Sequence, residues 1–145
     1  MQVLVYNQQS EYPVNKILVQ QQTKALLRQE KIDCDEVHLY YITSSESACL
    51  HQKFFRDPSA TDCISFPIDL PGERQDGKCI LGEIFICPET AALYAEKHHI
   101  PFAEELTLYL IHGLLHLLGY DDIAAADKAR MRKKEKSCMD LLKNL

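Results

Sequence analysis

Several features that would settle this chain's class at once are absent. It has no excess of positive charge: the net charge over 145 residues is −5. The global balance therefore lacks the basic footprint of a nucleic-acid binder, and any phosphate-binding patch has to be local. The six cysteines, Cys34, Cys49, Cys63, Cys79, Cys87 and Cys138, include no C-x-x-C pair, and several sit in apolar runs such as DCISF and EIFIC. Reduced, mostly buried thiols of a cytosolic protein are expected. No segment reaches the roughly eighteen apolar residues of a membrane span, and MQVLVYNQQSEYPVNK has neither a positive n-region nor a long apolar stretch. The chain is expected to be soluble, unexported and cytoplasmic, with no membrane partner. No internal repeat or low-complexity tract is present.

What is there suffices for one domain spanning residues 1–145, with 46% hydrophobic residues to fill its core. Val3 to Tyr6 reads as a strand, and Pro13 to Arg28 as a helix. CDEVHLYYIT, residues 34 to 43, is a second strand. SSESACLHQKFF follows as a helix with serine cap candidates and Glu46 in its first turn. The stretch from Asp57 to Gly77 holds Pro58, Pro67, Pro71, Gly72 and Gly77 around one strand-like island, Cys63 to Phe66, and reads as strand edges joined by an exposed loop. CILGEIFIC, residues 79 to 87, is a strand, and Pro88 opens a helix through ETAALYAEKHH. Pro101 opens the next, PFAEELTLYLIHGLLHLLG, with Gly119 as its stop, and the last helix runs from about Ala124 to Leu142. About four strands and five helices without regular βαβ alternation predict an α+β domain.

The fourth helix ends in HGLLHLLGYDD. Residues four apart share a helix face, so His112 and His116 can hold one ion between them. Gly119 then lets the chain double back and bring Asp122 to that ion from the other side. Three protein ligands leave a fourth tetrahedral position open, as catalytic zinc requires and structural zinc does not. Core histidines bonded to backbone carbonyls are the competing reading of such a pair. Imidazoles among leucines need a partner of some kind, and a metal satisfies both at once. The spacing matches that of metzincin peptidases, but residue 113 is glycine where those enzymes carry the glutamate base, which disfavours peptide hydrolysis.

On three stretches in the right order the chain resembles the YbeY family of bacterial endoribonucleases, the rRNA maturation factors. FRDPSATDCISFP matches the family's Arg, Thr-Asp and Ser-Phe-Pro; LGEIFIC matches its Leu-Gly-Asp-Ile strand; LTLYLIHGLLHLLGYDD matches its metal motif. The resemblance implies a zincin-like α+β fold with a small mixed sheet and the metal motif on a buried helix. It also implies one zinc ion and cleavage of single-stranded RNA, in small-subunit (16S) rRNA 3′-end maturation and ribosome quality control. Its partners would be single-stranded rRNA, the small ribosomal subunit, ribosomal proteins and assembly factors. By the same resemblance His112 and His116 match the first two metal ligands and are catalytic. Arg56 matches the arginine that meets the RNA phosphate, so it is both a catalytic and an RNA-binding candidate. Position 122 departs, because the family carries a third histidine in Gly-Tyr-Asp-His and this chain carries Asp122. Aspartate can ligate zinc through oxygen; its extra negative charge would weaken the ion as a Lewis acid and admit a harder ion such as manganese.

Of the remaining histidines, His98 and His99 close a charged helix, while His38 and His51 lack ligand spacing. The run DKARMRKKEKS has six Lys or Arg, and Lys133 and Lys134 are its RNA-binding candidates. It also reads as the solvated face of a helix whose Met131, Cys138, Leu141 and Leu142 enter the core. Glu83 and Asp62 are candidates for orienting the ligands. Two other functions compete with RNA cleavage: a metal-dependent hydrolase acting on another substrate, and a ribosome-assembly interaction protein whose metal is structural or lost.

Overall fold

The computed structural model describes residues 1–57, 59 and 61–145. Pro58 of the expected loop and Ala60 of FRDPSATD lie outside the described residues. The elements in chain order are β1 (Gln2–Asn7), α1 (Lys16–Gln29), β2 (Glu36–Tyr41), α2 (Ser44–Phe55), β3 (Cys63–Pro67), β4 (Ile80–Ile86), α3 (Pro88–His98), α4 (Phe102–Leu117) and α5 (Ala125–Leu142). Local chemistry explains where several of them start. Asn15 caps α1 by accepting the Leu18 N–H at 3.1 Å. The serines expected to cap α2 lie inside it instead; Thr43 is the cap, closing a reciprocal capping box with Glu46. Pro88 opens α3, where its missing N–H costs nothing.

The four strands form one mixed sheet in the order β1-β2-β4-β3. β1 and β2 pair in parallel, as do β2 and β4, whereas β3 runs antiparallel to β4. The chain therefore opens with a βαβ unit, β1-α1-β2, although no regular alternation is read from the sequence; alternation ends when β3 and β4 pair antiparallel after α2. The pattern of apolar residues marks a strand but not its neighbour, and only the pairing reveals the unit.

One hydrophobic cluster runs from Val3 and Val5 on β1 through Leu39, Ile84 and Ile86 to Leu110, Leu114 and Leu115 on α4, and on to Met131 and Cys138 on α5. Helix α4 lies against β3 and β4 at very short range. A Cβ on Gly113 would meet Ile84 Cγ2 at 2.6 Å, and one on Gly82 of β4 would meet Leu117 Cδ2 of α4 at 2.6 Å. Two glycines on facing surfaces thus let helix and sheet approach closely. The Ser65 hydroxyl fastens the contact by donating to the Gly113 carbonyl at 3.1 Å. This packing sets the direction in which His112 and His116, on either side of Gly113 in α4, face.

Candidate metal centre

Helix α4 ends at Leu117, and Gly119 turns the chain with φ +97°, a conformation that side-chain-bearing residues rarely adopt. The loop folds back under the helix end, and the Tyr120 carbonyl accepts a hydrogen bond from His116 Nδ1 at 3.0 Å. Asp121 Oδ1 accepts the backbone N–H groups of Asp122 and Ile123 at 2.7 and 3.1 Å, which fixes the turn that presents Asp122. On α5, Glu135 Oε1 accepts from His112 Nδ1 at 2.8 Å. Glu135 is the one acid among the cations from Lys128 to Lys136, and the sequence offers no spacing that ties it to His112.

These bonds set the tautomers. With both Nδ1 atoms donating to oxygen acceptors, both Nε2 atoms are left as bare lone pairs. They face each other at 3.0 Å, and Asp122 Oδ2 lies 3.5 Å from one and 3.6 Å from the other. With both imidazoles neutral, three acceptors converge, an arrangement that a metal cation satisfies. Tetrahedral zinc at the usual ligand distances separates its donors by about 3.3 to 3.6 Å, close to the edges of this triangle. The nitrogen, nitrogen and oxygen donor set fits zinc and admits harder ions. All three side chains are half-buried, so a fourth position faces the cleft.

The surroundings reinforce the preference for a cation. Burial alone would push the His112 imidazole below its ordinary pKa, but the bond and charge of Glu135, with Asp62 and Asp122 nearby, outweigh it and leave the group raised. Glu105, buried on α4, has its carboxyl pushed up by burial against the pull of Tyr109, with Asp62 adding to the rise. Cys63 is likewise pushed well up, by burial first and then by Asp62, Glu135 and Asp122.

Two clefts meet at Asp122. One, of about 280 Å³, runs along α5 and is lined by Asp62, Glu105, Glu135, Lys128 and Arg132 beside His112. The other, of about 380 Å³, lies towards the end of α2 and includes His51, Phe55, Ile123 and His116. Arg56 directly follows Phe55 as the exposed, left-handed C-cap of α2, with φ +57°.

The structure thus brings His112, His116 and Asp122 together; Arg56 adjoins Phe55 in the chain but does not itself line the second cleft. The structure does not gather the remaining candidates around these three. Lys134 is held at 2.6 Å by Glu30, the C-cap of α1, and Lys133 is exposed beside it. The cations of the basic run that reach the cleft are Lys128 and Arg132, four apart on the face that also carries Glu135. Glu83 accepts from the Tyr40 hydroxyl at 3.3 Å, on the sheet face opposite to the one Gly113 packs against. Asp62 caps its own turn by accepting the Cys63 N–H at 2.7 Å, and lines the first cleft without bonding a ligand. His38 is bonded to Glu36, His51 to the Ser59 carbonyl, and His98 stacks on Tyr94.

A single α+β domain whose central helix and following loop present three convergent donors defines the class: a compact mixed-sheet protein with an open candidate metal centre. Within that class the sequence profile described as Endoribonuclease YbeY matches residues 4–143, and the chain belongs to that family. It is 47% identical to the endoribonuclease YbeY of Protochlamydia amoebophila over 84% of this chain and 80% of that protein. To its counterpart in Chlamydia pneumoniae it is 36% identical over 99% of this chain and 92% of the other. The fold is shared with the solution structure of TM1509 from Thermotoga maritima, at a TM-score of 0.65 and 24% identity, over 97% of this chain and 89% of that one.

Proposed function

We propose that residues 1–145 act as one metal-dependent domain that cleaves single-stranded RNA, in the cytosol, at the 3′ end of small-subunit rRNA and in ribosome quality control. Ribosomal proteins and assembly factors would be its partners. The convergence of His112 Nε2, His116 Nε2 and Asp122 Oδ2 in a member of the endoribonuclease YbeY family carries the reading. A divalent ion held by these three, zinc first and manganese as the harder alternative, supplies Lewis-acid stabilisation of phosphoryl charge and a more acidic water.

The protein's own groups do the rest. Glu135 and the Tyr120 carbonyl hold the two imidazoles in the tautomer that leaves Nε2 free. Arg56, on an exposed cap beside the second cleft, offers a planar fork of donors to the phosphoryl oxygens as charge builds on them. Lys128 and Arg132 draw the RNA backbone along the first cleft, and exposed Lys133 adds to the same field from the far side of α5. Peptide hydrolysis by the metzincin route has no support, since a side chain at residue 113 would run into Ile84.

The test is cleavage of matched single-stranded and duplex RNA by wild type and by His116→Ala purified in parallel. Wild type should cut the single strand, spare the duplex and stop when chelator is added, while the variant should be inactive. Equal cleavage by both would mean a contaminating nuclease. Asp122 in place of histidine favours one second reading, an interaction protein with a structural or lost metal; wild type that binds RNA without cutting it would select that reading.

A further inference from the structure

Resting on the RNA-cleaving reading above, we propose that the larger cleft is a nucleobase subsite, in which the base flanking the scissile phosphate packs against Phe55 and Ile123. A phosphate held at the donor triad must send its neighbouring nucleosides into the clefts that adjoin the triad, and two do, sharing Asp122. They differ in chemistry. The smaller carries the carboxylates of Asp62, Glu105 and Glu135 with the cations Lys128 and Arg132, and its two aromatic rings are already engaged, Tyr109 by burial and Tyr94 by stacking on His98. The larger, at about 380 Å³, counts Phe55, Ile123 and Pro67 among its lining together with His116 and Asp122.

Exposure sets these walls apart from ordinary core. Phe55 is 56% exposed and Ile123 is 87% exposed, so each holds a large apolar surface in water at the rim of the metal centre. Most exposed apolar residues occur singly and mean little, but these two border one cleft. The His51 ring stands 5.3 Å from that of Phe55, tilted by 54°, and widens the aromatic wall. Its Nδ1 donates to the Ser59 carbonyl, which locks the ring in place. Unstacked bases of single-stranded RNA seek aromatic and apolar walls of this kind, whereas a duplex keeps its bases stacked inside. The subsite thus gives the single-strand preference a physical origin.

The chain contains no tryptophan, so Phe55→Trp introduces a single indole in the cleft. Rapid mixing of this full-length variant with a single-stranded RNA oligonucleotide, before cleavage develops, should quench its fluorescence. An abasic ribose-phosphate oligomer of equal length should bind without quenching it. In parallel, anisotropy with labelled oligonucleotides should show Phe55→Ala binding intact RNA on the order of 10-fold more weakly than wild type, the effect of removing one stacking partner, with abasic affinity unchanged. Binding of intact RNA with no quench, or an equal weakening on both ligands, would overturn the subsite and leave the endoribonuclease reading standing. No binding of RNA by wild type in the anisotropy arm would overturn both.

Discussion

His112 holds its imidazole edge-on to His116 because Glu135, 23 residues further along the chain, accepts from its Nδ1. That single bond fixes the tautomer, aims Nε2 and brings a negative charge close to the donor triad. Glu135→Gln keeps the size and an acceptor oxygen while removing the charge. Metal affinity is expected to fall by about 10- to 100-fold, the usual cost of losing a carboxylate behind a ligating histidine. Titration against a chromophoric chelator measures it; unchanged affinity would reduce Glu135 to a surface ion pair. Asp122 belongs to the same scale. Its position was legible, since a glycine turn after two helical histidines returns the chain to the same ion. Glu135 was not legible, because nothing in a run of cations marks its one acid as the partner of a histidine on another helix.

The helix α4 depends on what it lacks at residue 113. Ile84 is fully buried, and its Cγ2 atom lies 2.6 Å from where a Cβ on Gly113 would go. Ile84 has little room to swing aside, because χ1 of a β-branched side chain is stiff and its surroundings are fully packed. Gly113→Ala should therefore destabilise the fold by about 1–3 kcal/mol through overpacking, outweighing alanine's better helix propensity. Urea denaturation checks this, and a stabilised variant would mean that helix and sheet are further apart than described. The same glycine reads in the sequence as a missing catalytic base; the close approach of Ile84 gives the physical reason it cannot be one.

Helix α5 sorts its cations by face. Met131, Cys138 and Leu142 are buried, as the apolar stripe indicates, and that orientation turns Lys128 and Arg132 towards the cleft while Lys134 meets Glu30. Lys128→Glu with Arg132→Glu should weaken RNA binding and lower the slope of log affinity against log salt by about 0.7 for each phosphate no longer neutralised. Lys133→Glu should have the smaller effect of an exposed charge away from the cleft. Salt titrations of the variants distinguish them, and an unchanged slope in the double variant would remove the cleft cations from RNA binding.

Across the whole molecule, the elements were largely readable from apolar spacing, capping residues and prolines, and the strands and helices fall within a few residues of their expected places. The sheet order was not readable, since parallel β1-β2-β4 pairing joins strands far apart in sequence. The same holds for the loop after β3, whose anchor is Arg74 reaching back to Asp33 and Asp35 at 2.6 and 2.9 Å. Side-chain bonds from Arg74 hold both carboxyls below their ordinary values, and the Cys79 N–H adds to the effect on Asp35. Groups depressed in the folded state contribute stability above the unfolded carboxylate pKa of about 4 and lose it as pH falls through the folded value. Wild type should therefore lose stability below about pH 4 more steeply than Arg74→Ala, which lacks that contribution from the start. Thermal unfolding across pH 2 to 7 is the check, and parallel curves would contradict it.

The most direct test of the metal centre is divalent metal per chain, by elemental analysis, for wild type and Asp122→Ala purified side by side without chelator. About one ion in wild type and little in the variant is the expected result, because the triangle of two Nε2 atoms and Oδ2 is then a working three-ligand site. Wild type without metal, or a variant that keeps its full complement, would contradict it.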